Sequence, residues 1–68
     1  MNDDAFNMSM RKFLKSVGVT SQQKIEDAVR AAERDGTLPN SLSVRVELSI
    51  PEIGLHHSVD GDITIDAP

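Results

Sequence analysis

The chain has 68 residues, a net charge of -4, two aromatic residues and no cysteine. A chain of this length makes one small domain that buries only about 60% of the surface its unfolded form exposes. The missing thiols exclude disulfides and thiolate metal sites, no apolar run approaches a membrane span, and the acidic balance disfavours broad nucleic-acid binding.

The charge is unevenly spread. Residues 1–24 carry +2, with Arg11, Lys12, Lys15 and Lys24 against Asp3 and Asp4, and residues 25–68 carry -6. The first residues lack the basic-then-apolar layout of a signal peptide, so a soluble cytoplasmic protein is expected.

In chain order, Asn2, Asp3 and Asp4 supply a helix cap and acids for the positive end of the helix dipole. Phe6, Met10, Phe13, Leu14 and Val17 then recur at helical spacing and share one stripe. Gly18 suits the left-handed residue that ends a helix, so the first helix is expected to stop there, with Lys15 in its last turn. Thr20 and Gln23 fit a capping box for a second helix over roughly residues 21–35. The stripe of that helix is Ile25, Ala28, Val29 and Ala32, with Glu26 and Arg30 as an i,i+4 pair on the wet side. Gly36 reads as its stop.

Thr37 to Ser41 is a linker in which Pro39 bars further helix. From Leu42 to Ile50 the chain alternates without a break. Leu42, Val44, Val46, Leu48 and Ile50 fall on one side, and Ser43, Arg45, Glu47 and Ser49 on the other. That period of two marks a strand with one apolar face and one wet face. Pro51-Glu52-Ile53-Gly54 reads as a turn. A second alternating run follows from Leu55.

Two arrangements of that run compete. Asp60-Gly61 is a two-residue hairpin signal, but a turn there would throw the apolar set onto the wet face. Folding back over 51–54 pairs Ile50 with Leu55, Leu48 with His57, Val46 with Val59, Val44 with Gly61 and Leu42 with Ile63. Every apolar residue then lies on one face, and Arg45 faces Asp60 on the other. A one-residue slip would invert the strand, so register consistency outweighs the dipeptide. The expected fold is α+β: one domain over residues 1–68, with two N-terminal helices packed on a C-terminal antiparallel β-hairpin. Phe13 is expected in its core, beside Leu14 and Val17.

Chemistry is sparse. His56 and His57 are adjacent in a strand and point to opposite faces, so they cannot chelate one ion, and His57 reads as a half-buried residue among apolar ones. Asp60, Asp62, Thr64 and Asp66 share a face but lack the tight loop, the glycine and the bidentate glutamate of a calcium site; a solvated acidic face accounts for them. There is no nucleophile elbow or glycine-rich phosphate loop. No catalytic, cofactor or metal residue is assigned, and no enzyme activity is expected. Val17-Gly18-Val19-Thr20 between two helices also fits a helix-turn-helix with the hairpin as a wing. However, the second helix would then set Glu26, Asp27 and Glu33 against phosphate.

Three stretches carry a resemblance. Met1-Asn2-Asp3-Asp4-Ala5-Phe6-Asn7-Met8-Ser9-Met10-Arg11-Lys12-Phe13-Leu14-Lys15, Val17-Gly18-Val19-Thr20-Ser21-Gln22 and Gly54-Leu55-His56-His57-Ser58-Val59-Asp60-Gly61-Asp62-Ile63 resemble a family of short bacterial proteins known only as a domain of unknown function. The resemblance spans nearly the whole chain. It implies a free-standing cytoplasmic protein and brings no activity or site residue. The reading is a small non-catalytic protein-interaction module whose partner is a protein, a second copy included. A homodimer would pair the open edges of the hairpin about a two-fold axis. The alternatives are a winged-helix-like nucleic-acid binder and an accessory subunit of an enzyme.

Overall fold

The computed structural model describes residues 1–66. Its elements are one helix, α1 (Asp3–Asp35), then β1 (Ser41–Ile50), a 3-10 turn (Pro51–Ile53) and β2 (Leu55–Thr64). The class is α+β, as the patterning predicts. The chain clusters into two compact units, one ending at Leu38 and the other beginning at Pro39.

The expected pair of helices is a single helix. Asn2 caps it, its side-chain oxygen accepting from the Ala5 amide at 3.0 Å, and Asp3 and Asp4 fill the first turn. The helix then runs through Gly18. A C-terminal glycine stop needs positive φ, and only Gly36 and Gly54 have it. Gly18 in a helix interior costs about 1 kcal/mol relative to alanine. Ending the helix there would instead leave up to four carbonyls and then four amides without helical partners. No proline forces that loss, and the smaller penalty wins. Thr20 follows the same logic. Its hydroxyl does not cap a new helix but donates back to the Ser16 carbonyl at 2.8 Å, a bond available only inside a continuous helix. Glu26 accepts from Gln22 at 3.3 Å, one turn earlier.

The helix ends where expected. Gly36 sits at φ 71°, ψ 22°. Its amide donates to the Glu33 carbonyl at 3.2 Å, and the Thr37 amide donates to Ala32 at 2.9 Å. This is the Schellman pair of bonds, and it satisfies two carbonyls of the last turn.

The hairpin has the register that the alternation predicts, from Ser41↔Thr64 through Val46↔Val59 to Ile50↔Leu55. Pro51 begins the turn with its φ already set. Gly54 closes it at φ 66°, ψ 27°, donating to the Pro51 carbonyl at 3.2 Å. Asp60-Gly61 lies inside β2 and makes no turn, and Gly61 pairs regularly with Val44. Beyond β2 the Asn40 carbonyl accepts from the amides of Ile65 and Asp66, at 2.8 and 3.2 Å.

Among the described residues none is buried. The expected core of Phe13, Leu14 and Val17 is therefore not formed: Phe13 is 60% and Leu14 48% exposed, and Val17 is intermediate. The helix is held by its own hydrogen bonds and caps, and the hairpin by its ladder, its turn and cross-strand pairs.

Candidate functional site

Two kinds of surface can be built from these elements. The first is the wet face of the hairpin. Strand alternation places Ser43, Arg45, Glu47 and Ser49 of β1 beside Asp62, Asp60, Ser58 and His56 of β2. Arg45 organises this face. Its Nε lies 3.3 Å from Glu47 Oε1 and 3.8 Å from Asp60 Oδ1, and its Nη2 donates to Ser58 Oγ at 3.3 Å. These side chains are well exposed, so each ion pair is worth less than about 1 kcal/mol. Ser43, Val44, Arg45, Asp60, Gly61 and Asp62 line a shallow open depression.

The residues singled out in the sequence do not converge. His56 and His57 lie on opposite faces, across from Ser49 and Leu48 respectively. The Ser49 hydroxyl and His56 Nδ1 are 3.4 Å apart. His57 is exposed and not half-buried as its apolar neighbours suggest. Of the four acidic-face residues, Asp60, Asp62 and Thr64 lie in β2 and Asp66 follows it. Among the described residues no group of three or more His, Asp or Glu side chains is placed to hold a metal ion, and no helix is long and apolar enough to cross a membrane. The helix-turn-helix alternative loses its turn, because Val17 to Thr20 are helical.

The second kind of surface is apolar. Because α1 is continuous, its two stripes join into one. Phe6, Met10, Phe13, Val17, Ser21, Ile25, Ala28 and Ala32 follow one another at three- and four-residue steps, with Leu14 and Val29 on one flank. Phe6 is 48% and Met10 40% exposed. On the hairpin, Val46, Ile50, Leu55 and Val59 share the apolar face and are 37–54% exposed. Sequence reasoning missed the unity of the helix stripe. The signal was Ser21, a small residue four positions from both Val17 and Ile25, which bridges the two halves.

Residues 1–66 match a family of unknown function, DUF6494. No curated protein and no solved structure was found to match the chain.

Proposed function

We propose that the chain, which belongs to this family of unknown function, is a small non-catalytic protein-interaction module of the bacterial cytoplasm. The observation that carries this reading is the burial pattern. A chain that is 38% hydrophobic has no buried residue among those described; Phe6, Met10 and Phe13 on the helix and Val46, Leu55 and Val59 on the hairpin are exposed, while Val17, Ile25, Leu42, Val44 and Leu48 are only partly covered. Such faces gain about 25 cal/mol for each Å² taken out of water, so a partner that covers them is strongly favoured. The partner is a protein, a second copy of the chain included. The helix stripe has aromatic and methionine side chains at its N-terminal end, residue types enriched at interfaces. The wet face of the hairpin is solvating, with Arg45 already engaged by Glu47 and Asp60.

A photoreactive phenylalanine analogue in place of Phe13, irradiated in the source cell, tests the proposal. Discrete protein adducts are expected, absent when the probe replaces Lys12 on the far side of the helix. Adducts with nucleic acid or lipid alone, or equal labelling from both positions, would overturn it.

A further inference from the structure

The spacing of the helix stripe carries more than amphipathicity. From Phe6 to Ala32 the steps are 4, 3, 4, 4, 4, 3 and 4, the same read in either direction. The midpoint falls at residue 19, where Val19 itself points away from the stripe and is 58% exposed. A stripe with this symmetry superimposes on itself when a second helix is laid across it antiparallel. Phe6 then faces Ala32, Met10 faces Ala28, Phe13 faces Ile25 and Val17 faces Ser21, each contact occurring twice about a two-fold axis.

The side chains at those positions are unequal in a way that fits. The large residues Phe6, Met10 and Phe13 lie in the N-terminal half, and the small residues Ser21, Ala28 and Ala32 in the C-terminal half. Antiparallel pairing sets the larger residue against the smaller at Phe6–Ala32, Met10–Ala28 and Val17–Ser21, with Phe13 on Ile25 the one pair of two large residues. Parallel pairing would stack phenylalanine on phenylalanine at one end and alanine on alanine at the other. Charge agrees with size. Residues 5–24 carry four cations and no acid, and residues 25–35 carry Glu26, Asp27, Glu33 and Asp35 against Arg30 and Arg34. An antiparallel pair lays the basic half over the acidic half and opposes the two helix dipoles. A parallel pair does neither.

Resting on the interaction-module reading above, we propose that the stripe of α1 is a homodimer interface, occupied by the same stripe of a second copy antiparallel to it about residue 19. The seam is about 40 Å long at 1.5 Å per residue and about 12 Å wide. It therefore buries on the order of 1,000 Å² in total, near the lower limit for a specific interface. The dimer is accordingly reversible and concentration-dependent.

The test exploits Met10 and Ala28, which face one another only in this arrangement. Ala28 is exposed in the single chain, so a longer side chain there has room without a partner. Sedimentation equilibrium of the full chain is expected to give about twice the 7.4 kDa mass at high concentration. Ala28→Met and Met10→Ala should each weaken dimerisation about tenfold or more, with the helical circular-dichroism signal of the dilute protein unchanged. The swapped double variant, Met10→Ala with Ala28→Met, should recover to within about threefold of the parent, because it restores one large and one small residue at each contact. Because the chain has no native cysteine, orientation is read directly. Met10→Cys and Ala28→Cys chains should cross-link when mixed and not when alone. A single 7.4 kDa species at every concentration, a double variant no better than the product of the singles, or Met10→Cys linking to itself would each overturn the inference. Protein adducts from the Phe13 probe to a different chain would then leave the broader interaction reading standing.

Discussion

Replacing Gly18 by alanine separates one helix from two by the sign of its effect. In a continuous helix Gly18 has ordinary helical φ, and a Cβ built there meets nothing within 4 Å. The substitution then only removes backbone freedom from the unfolded chain and adds helix propensity, a gain of about 0.5–1 kcal/mol. That is roughly a two- to fivefold shift toward helix, since RT is about 0.6 kcal/mol. Were Gly18 a left-handed helix stop, alanine would instead pay about 1–2 kcal/mol for its Cβ and shorten both helices. Far-UV circular dichroism of the dilute full chain, with amide exchange across residues 16–22, reads the difference. Higher helicity and slower exchange in Gly18→Ala are expected. A drop in helicity, or fast exchange centred on residue 18, would refute the single helix.

The two glycines with positive φ behave oppositely: Gly36→Ala and Gly54→Ala should each destabilise by about 1 kcal/mol, the first fraying the end of α1 and the second the turn of the hairpin, as amide exchange of each unit would show. Phe13→Ala should change the thermal melt of the dilute chain far less than the roughly 3–5 kcal/mol of a buried phenylalanine, because Phe13 is 60% exposed; a core-sized loss at dilution would contradict that exposure. Arg45→Ala removes two exposed ion pairs and one hydrogen bond, and should cost less than about 1 kcal/mol in denaturant titration, less still at high salt.

The hairpin was legible in the sequence because three independent signals agree on it. The alternation from Leu42 to Ile50 sets the faces, Pro51 and Gly54 set the turn, and the cost of a one-residue slip fixes the register. Asp60-Gly61 misleads only if read locally, since the dipeptide permits a turn without demanding one. The helix was misdivided for the same reason. Gly18 and Thr20 have side chains compatible with a stop and a start, but neither obliges one. The decision belongs to the backbone hydrogen bonds that an interruption would forfeit, and no single residue displays those. The missing core was illegible because a stripe records that a face is apolar, not what covers it. The candidate site followed suit. His56, His57 and the aspartates around Gly61 are chemically capable residues that the strand geometry keeps apart.

The local character of both units has a kinetic consequence. Helix α1 is closed by bonds four residues apart, and the hairpin zips from a tight turn at Pro51–Ile53 outward to Ser41↔Thr64. Helices of this kind relax in about a microsecond and hairpins in about 1–10 microseconds, and low sequence separation of contacts removes the slow topological search. Fast closing, with no residue buried among those described, also means frequent opening. A cellular protease then samples the open chain at its equilibrium population and is not held off by a slow unfolding rate. Whatever covers the apolar stripe shifts that population by mass action. Under the proposed interaction the lifetime of the chain in the cell would follow its occupancy: a copy with its stripe covered would persist, and a surplus copy would be cleared.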